Sequence, residues 1–171
     1  MKYLTYIVGE PGVGKTTLVD RLTAGSEPET TADPFYLRRH DNGVTELGKA
    51  REDFGGTDSL PMSIQPAVQQ YLEAVGPALV LGEGDRLGNE TFFAAAKRLG
   101  YTVTVYSLEG SRLAAMRRAL RGSDQDATWL KGRATKVRNL APYVTATIDA
   151  ALPLDVQVAM MDDPVALAFR A

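Results

Sequence analysis

Apolar residues along the chain follow two alternating patterns. Short runs rich in β-branched and aromatic residues predict strands, and longer segments with apolar residues three and four positions apart predict helices. The predicted strands cover residues 2–8, 78–83, 101–108 and 144–148. The predicted helices cover residues 16–24, 66–75, 89–99, 111–121, 126–140 and 152–161, although residues 155–158 also alternate like a strand. Strands alternating with helices predict a three-layer α/β fold with a mostly parallel sheet.

The segment between the first two helices has weaker patterns. Residues 25–34 are rich in Gly, Pro, Ser and Asp, which predicts a loop. Residues 35–40 and 44–47 flank an Asp-Asn-Gly sequence, which predicts a β-hairpin. His40 is the single histidine and lies beside that turn, so we expect it to be solvated rather than catalytic.

Two of the predicted helices lie in the second half of the chain and carry many basic residues. We expect Ser111 to cap the first of them, with Leu113, Met116 and Leu120 facing inward. In the second, apolar residues at helical spacing are expected to face the core: Leu130, Ala134, Val137 and Ala141. Trp129, Arg133 and Lys136 share another face of that helix.

The composition is ordinary for a soluble domain. The 171 residues are 44% hydrophobic and 23% charged, with a net charge of −2 and no cysteine, which excludes disulfides and a thiolate metal site. The first predicted strand begins at Lys2, leaving no room for a signal peptide, and no apolar run approaches the roughly 20 residues of a membrane helix. We therefore expect a single cytoplasmic domain over residues 1–171 with no membrane partner; the oligomeric state is left open.

The most specific motif lies between the first strand and the first helix. Residues 9–17 fit the pattern G-x-x-x-x-G-K-[ST], in which a glycine-rich backbone converges on phosphate groups at a helix N-terminus. Lys15 is expected to reach the β- and γ-phosphates, and the Thr16 hydroxyl to ligate Mg²⁺. The residues expected to bind the nucleotide here are Gly9, Gly12, Val13, Gly14, Lys15, Thr16 and Thr17.

A second polar cluster follows the strand predicted over 78–83. Ligands of parallel sheets bind outside the carboxyl ends of the strands, so Glu83, Asp85 and Arg86 are candidates for chemistry. A carboxylate at this place either holds Mg²⁺ or accepts the proton of an attacking hydroxyl, and the pattern does not decide between Glu83 and Asp85 as base. Arg86 is expected to clamp a phosphoryl group. The alternative is a polar loop whose charges are solvated.

Positive charge is concentrated in one segment. Eight basic residues stand against two acids there: Arg112, Arg117, Arg118, Arg121, Lys131, Arg133, Lys136 and Arg138. This arrangement suits a lid over residues 112–140 that closes basic side chains on the phosphates. The alternative is an ordinary solvated basic face. Trp129 either stacks on a base or wedges the lid into the core.

Residues 35–62 are the candidate acceptor-binding insert. Donors, acceptors and an aromatic ring are gathered near a pair of glycines: Arg51, Asp53, Phe54, Thr57 and Asp58. The position in the chain favours acceptor recognition, and a plain connector is the alternative.

These motifs together resemble the nucleotide- and nucleoside-kinase branch of the P-loop proteins. The resemblance rests on residues 9–17, on Glu83…Arg86, which is similar to the base-and-clamp pair of deoxynucleoside kinases, and on the basic segment. It implies a P-loop NTPase fold with a five-stranded sheet, ATP and Mg²⁺ as cofactors, and a helical lid whose arginines include Arg118, Arg121 and Arg133. The Asp-Arg-Tyr of thymidylate kinases does not occur. Residues 51–62 are similar to a segment of small phage-encoded P-loop kinases, some of which phosphorylate hydroxymethyl pyrimidines within DNA.

Three functional hypotheses follow. The first is an ATP-dependent phosphotransferase that moves the γ-phosphate to a hydroxyl or phosphate of a nucleotide or nucleoside. The second is a phage-type kinase acting on hydroxymethyl pyrimidines in DNA, bound through the local basic segment. The third is a non-catalytic nucleotide-binding module. The expected catalytic residues are Lys15, Glu83, Asp85, Arg86 and Arg133; Arg118 and Arg121 are expected to bind the nucleotide, and Thr16 and Glu83 the metal.

Overall fold

The computed structural model describes residues 1–49 and 55–171, and its elements largely follow the predicted order. The strands are β1 (Lys2–Gly9), β2 (Glu29–Thr31), β3 (Leu37–Arg39), β4 (Val44–Leu47), β5 (Leu79–Glu83), β6 (Tyr101–Glu109) and β7 (Ala146–Asp149). The helices are α1 (Lys15–Thr23), α2 (Gln65–Ala74), α3 (Glu90–Arg98), α4 (Ser111–Leu120), α5 (Ala127–Asn139), α6 (Leu154–Ala159) and α7 (Pro164–Ala168). Short 3₁₀ turns cover Gly56–Ser59 and Ala141–Tyr143.

One mostly parallel sheet organises the fold, with strand order β2-β3-β4-β5-β1-β6-β7. The five strands from β4 to β7 in this order pair in parallel, which confirms the predicted type of sheet. The predicted count of five is wrong, because β2 and β3 extend one edge in antiparallel pairing and bring the sheet to seven strands. Residues Glu29–Thr31 were expected to be loop; this three-residue edge strand is too short and too exposed to produce a hydrophobic pattern.

Helices cover both faces of the sheet, which gives the expected three layers. Leu4, Tyr6 and Val8 of β1 pack on one face in a cluster with residues of α2 and α3. Ile7 points to the other face and packs with a cluster from α1 and α7 that includes Leu18. This alternation follows from the period of two along a strand, so both faces of β1 are buried.

The two basic helices do not fill the core as expected. Met116 and Leu120 are 54% and 80% exposed, so their predicted inward orientation is wrong. Leu130, Ala134 and Val137 of α5 are half-buried, so the face expected to meet the core is only partly covered, and Ala141, in the 3₁₀ turn that follows, is exposed. An open cavity of about 940 Å³ is lined by α5 and by the ends of β6 and β7, so this helix does not pack closely on the sheet there. Gly110, rather than Ser111, occupies the N-cap of α4.

The helix predicted over residues 152–161 is present as α6, and a further short helix that was not predicted, α7, follows it. Asp163 separates them: its Oδ1 accepts hydrogen bonds from the amides of Val165 at 2.9 Å and Ala166 at 3.2 Å, which caps α7. The Tyr106 hydroxyl donates to Asp163 Oδ2 at 3.0 Å and ties the cap to β6. Within residues 1–49 and 55–171, no helix has the length and apolar character needed to cross a bilayer.

His40 is buried, contrary to the expectation that it would be solvated. Its Nδ1 lies 2.9 Å from Ser26 Oγ and its Nε2 lies 2.8 Å from Glu46 Oε2. The Arg38 guanidinium donates to the same oxygen at 2.7 Å and 3.1 Å. The antiparallel register of β3 and β4 places Arg38 opposite Glu46, and this pairing draws the polar side chains together below the surface.

Candidate active site

The loop between β1 and α1 has the backbone geometry of a phosphate-binding loop. Gly12 and Gly14 adopt φ values of +84° and +109°, a region that favours glycine, and Gly14 is the N-cap of α1. Gly9 is required for a different reason: a Cβ there would lie 2.7 Å from the Leu108 carbonyl oxygen of β6. The loop thus presents the N-terminus of α1 to an anion, where the helix dipole favours negative charge.

Lys15 folds its side chain over this loop. Its Nζ donates to the carbonyl oxygens of Gly9 at 2.7 Å and Glu10 at 3.1 Å. Burial lowers the pKa of the ammonium, while the carboxylates of Glu83 and Asp58 oppose that change. A cation held at the mouth of the loop is placed to meet phosphate oxygens.

Glu83 lies beside the phosphate loop because β5 is the neighbour of β1, with Ile7 opposite Glu83. The carboxylate is 3% exposed, and Thr16 Oγ1 donates to its Oε1 at 2.9 Å. Burial raises the pKa of Glu83 to about 7, against the lowering effect of the Lys15 charge and the Thr16 hydrogen bond. The neighbouring carboxylates of Asp58 and Glu46 add to the increase.

The pair of Thr16 and Glu83 fits Mg²⁺ chemically. A hydroxyl and a carboxylate oxygen 2.9 Å apart are both hard oxygen donors, and Mg²⁺ takes few protein ligands together with water and phosphate oxygens. Among the described residues no cluster of three or more His, Cys, Asp or Glu side chains forms a separate metal cage. The ion would therefore depend on bound phosphate for part of its coordination.

The turn Gly56–Ser59 packs directly against the end of β5. Thr57 Oγ1 donates to the Glu83 carbonyl oxygen at 2.8 Å and lies 2.7 Å from the Tyr6 hydroxyl. Asp58 Oδ1 accepts from the amides of Asp85 at 2.9 Å and Arg86 at 3.1 Å. Thr57, a candidate for acceptor binding, is fully buried, and its hydroxyl supports the strand end.

Asp85 is bound by the lid. Its Oδ2 lies 2.7 Å from an Arg133 guanidinium nitrogen, and Lys136 Nζ lies 3.5 Å from Oδ1 and donates to the Asp85 carbonyl oxygen at 2.7 Å. The Arg133 guanidinium also lies 5.1 Å from the centre of the Trp129 ring. Lys136 was placed in the lid but not in the site; its position one helical turn after Arg133 is the signal that points to it.

Arg86 follows Asp85 and is incompletely satisfied. One of its guanidinium nitrogens contacts the Met62 sulfur, and its Nε is buried with no hydrogen-bond partner among the described residues. A buried guanidinium nitrogen without a partner is costly, which fits a group kept for an anion.

The arginines of α4 approach the phosphate loop from the outside. Arg117 donates to the Val13 carbonyl oxygen at 2.7 Å, and Arg118 donates to that of Pro11. Arg121 lies close to Gly12, where a Cβ would be 3.1 Å from its guanidinium. Arg118 and Arg121 are thus adjacent to the expected nucleotide site.

Five predicted site residues remain, two in the phosphate loop and three in the candidate acceptor-binding insert. Val13 is buried in the core, and Thr17 is exposed at the start of α1. Arg51, Asp53 and Phe54, which we expect to bind the acceptor, lie outside the described residues.

Comparisons with known proteins agree with this architecture. A family model described as P-loop Nucleotide Kinase3 matches residues 1–164. A gluconokinase from Sinorhizobium meliloti 1021 is similar in structure, with a TM-score of 0.54 and 14% identity over 98% of this chain and 91% of that chain. The protein APE1195 has a TM-score of 0.50 and 15% identity over 99% of this chain and 96% of that chain. At these identities, the two structures show a shared fold alone.

A search of curated protein sequences finds no match to the chain. The family model spans nearly all of the sequence, including the phosphate loop, the end of β5 and the lid. The chain therefore belongs to the P-loop Nucleotide Kinase3 family.

Proposed function

We propose that the protein is an ATP-dependent phosphotransferase that moves the γ-phosphate to a hydroxyl or phosphate of a nucleotide or nucleoside. The observation that carries this proposal is the meeting of three groups at the N-terminus of α1: the Lys15 ammonium, the Thr16 hydroxyl and the buried Glu83 carboxylate. A cation, a metal ligand and an acid–base group at a phosphate loop are the parts that phosphoryl transfer needs.

Each group has a separate role in the proposal. Lys15 stabilises charge on the transferring phosphoryl group, Thr16 holds Mg²⁺, and Glu83 accepts the proton of the attacking group. Mg²⁺, when bound, neutralises charge on the β- and γ-phosphates. Arg133, Lys136 and Arg86 surround the end of β5, where they meet the phosphate oxygens of donor or acceptor.

We assign the base to Glu83 rather than Asp85. A base works best with a pKa near the operating pH, and burial raises the pKa of Glu83 to about 7. The Asp85 carboxylate is already paired with Arg133 and Lys136, which suits a residue that positions the lid.

A cavity between α5 and the ends of β6 and β7 is large enough for a small ligand, but it meets the phosphate loop only at Glu10, and none of Lys15, Thr16 and Glu83 lines it. Its volume of about 940 Å³ is within the range of small-molecule sites. Polar and apolar groups both line it, including Ser107, Thr147 and Val137.

The test is ADP formation with Mg²⁺-ATP across nucleosides, nucleotides and hydroxymethyl-pyrimidine DNA. The Lys15→Ala variant is expected to lose roughly 10²- to 10³-fold in rate while remaining folded, because it removes charge stabilisation of the transferring group. Lys97→Ala, on the exposed side of α3, is the matched control. Near-normal turnover of Lys15→Ala refutes the proposal, and ATP binding without turnover on any acceptor supports a non-catalytic module.

A second candidate is a kinase that acts on hydroxymethyl pyrimidines within DNA. The observation favouring it is an exposed group of basic side chains in and near the lid, none of which forms an ion pair within the described part of the chain: Arg112, Arg121, Lys131 and Arg138. A single nucleoside or nucleotide can be bound by the basic side chains around the end of β5. It does not need these four additional positive charges.

DNA affinity measured against salt concentration separates the two acceptors. If DNA is the acceptor, log affinity falls linearly with log salt with a slope of about −0.7 to −0.9 per phosphate contacted. Lys131→Ala and Arg112→Ala then flatten the slope without weakening ATP binding. Turnover of a free nucleoside or nucleotide with no DNA affinity at low salt eliminates this candidate.

A further inference from the structure

The turn that follows β5 is fixed by a side chain from a distant part of the chain. Asp58 Oδ1 accepts hydrogen bonds from two successive amides, those of Asp85 at 2.9 Å and Arg86 at 3.1 Å. A carboxylate that receives two backbone N–H groups makes charge-assisted hydrogen bonds, which are stronger than neutral ones. The partners are 27 and 28 residues away in sequence, so this is a tertiary contact and not a local turn.

The backbone at this contact is shaped for close approach. Gly84 has φ of +108°, and a Cβ on it would lie 2.9 Å from Asp58 Oδ2. Gly56 has φ of +57°, and a Cβ there would lie 2.3 Å from Glu83 Oε1. Two glycines, one on each side, therefore let the turn Gly56–Ser59 pack against the end of β5 without intervening side chains.

Three groups of the proposed chemistry depend on the backbone path of the turn that follows β5, residues 84–86. Glu83 precedes it and faces Thr16, Asp85 within it meets Arg133, and Arg86 ends it. Asp58 itself uses its oxygen on the backbone amides and forms no ion pair within residues 1–49 and 55–171.

We propose that Asp58 is a positioning residue for phosphoryl transfer: by binding the amides of Asp85 and Arg86, it fixes the turn that places Glu83, Asp85 and Arg86. This inference rests on the proposed function for its catalytic readout. The sequence predicted that Asp58 contacts the acceptor. The proposal instead assigns Asp58 to positioning the protein's own backbone. Because small displacements of reacting groups cost large factors in rate, a residue of this kind affects turnover more than binding.

The experiment compares three substitutions at this position. Asp58→Asn keeps an acceptor oxygen at the same place without the charge, Asp58→Glu keeps the charge but moves the oxygen, and Asp58→Ala removes both. Glu73→Ala, an exposed acid on α2, is the control. The kcat and the KM for ATP and for the acceptor are measured, with circular dichroism to establish folding.

We expect Asp58→Ala and Asp58→Glu to lower kcat by about 10- to 100-fold with the KM for ATP little changed, and Asp58→Asn to recover most of the loss. The reverse order, with Asp58→Glu active and Asp58→Asn inactive, shows that charge and not position matters, and it overturns the proposal. A large rise in the acceptor KM that Asp58→Asn does not relieve places Asp58 on the acceptor and also overturns it. If Asp58→Ala does not fold, the comparison of Asn with Glu decides the outcome.

Amide hydrogen exchange separates this proposal from the proposed function. The amide protons of Asp85 and Arg86 are expected to exchange faster in Asp58→Ala than in the wild type or in Asp58→Asn, whether or not the protein transfers phosphate. Unchanged exchange at both amides refutes the positioning role. Protected amides in a wild-type protein that has no turnover on any acceptor refute the proposed function alone.

Discussion

The end of β5 is buried and hydrogen-bonded, whereas the lid helices α4 and α5 are largely exposed. Around β5, Glu83 and Thr57 are almost completely buried, and hydrogen bonds connect them to Thr16 and Tyr6. In the lid, α5 contains no fully buried residue along its described length, and Leu120 of α4 is 80% exposed. The polar groups proposed for chemistry are thus fixed by the core, whereas the lid carries its charges on lightly packed helices.

The lid is therefore held against the rest of the protein largely by polar contacts. Arg133 and Lys136 contact Asp85, and Arg117 and Arg118 donate to carbonyl oxygens of the phosphate loop. Partly exposed ion pairs are typically worth about 0–1 kcal/mol each, so phosphate groups compete with them readily. A lid arginine therefore exchanges partners at low cost, whereas any movement of Glu83 disturbs the core.

The largest expected effect compares the two regions directly by truncating one leucine in each. Leu81 of β5 is fully buried, so Leu81→Ala is expected to lower the free energy of unfolding by roughly 2–5 kcal/mol through lost burial and a residual cavity. Leu120→Ala in the lid is expected to change it by at most about 0.5 kcal/mol. Urea unfolding of both variants checks the pair. An equal loss in both variants contradicts the distinction between core and lid.

The next effect concerns the cost of burying Glu83. Its pKa is about 7 in the folded protein against 4.5 when unperturbed, so the folded state binds a proton more tightly than the unfolded state. The contribution of this group to stability is therefore greatest below pH 4.5 and is lost as the pH rises from about 4.5 to about 7, by up to roughly 3 kcal/mol. Glu83→Gln lacks this loss, so its stability relative to wild type is expected to increase between pH 5 and pH 8, although it transfers no phosphate.

Urea unfolding in Mg²⁺-free buffer at the two pH values measures this difference. Glu73→Gln on the surface of α2 is the control and is expected to show little pH-dependent difference from wild type. A Glu83→Gln variant whose advantage is the same at pH 5 and pH 8 contradicts the assignment of a buried carboxyl with a raised pKa.

The smallest effect is expected for the ion pairs that join the end of β5 to the lid. Asp85→Asn removes the charge that pairs with Arg133 and Lys136, at a cost of about 1 kcal/mol, which increases lid opening about fivefold. Trp129 is the single tryptophan and lies against Arg133, so its fluorescence reports the change. Trypsin is expected to cleave the α4–α5 connection about fivefold faster.

Asp124→Asn, an exposed acid in the same connection, is the matched control. If the fluorescence and the cleavage rate of Asp85→Asn equal those of this control, the ion pairs do not hold the lid. In that case, the contacts between α4 and the phosphate loop hold the lid in place.

Sequence patterns predicted the features that depend on neighbouring residues. The phosphate loop requires glycines at fixed spacing before Lys15 and Thr16, and the structure shows Gly12 and Gly14 in the backbone region that favours glycine. Asn89 was predicted to begin a helix, and its side chain accepts from the Phe92 amide at 2.8 Å. Such features need only a few consecutive residues, so their chemistry is present in the local sequence.

Helical spacing was less informative in the lid. Helical spacing predicts that Met116 and Leu120 point inward, yet both are exposed. Spacing shows which residues share a face of a helix, but the packing of the whole chain decides whether that face meets a sheet or solvent. His40 shows that a residue next to a polar turn can also be buried, because its ring pairs with Glu46 of the neighbouring strand in the same hairpin.

Local sequence patterns predict the phosphate loop, the alternation of strands and helices, and the acids at the end of β5. Only the tertiary structure decided that β5 pairs with β1, which brings Glu83 within 2.9 Å of Thr16, 67 residues away. It also decided that Asp58 binds the turn after β5 and that Asp85 binds the lid. The physical reason is that these contacts join residues far apart in the chain, and their free energy is realised only when strand order and burial bring the polar groups together.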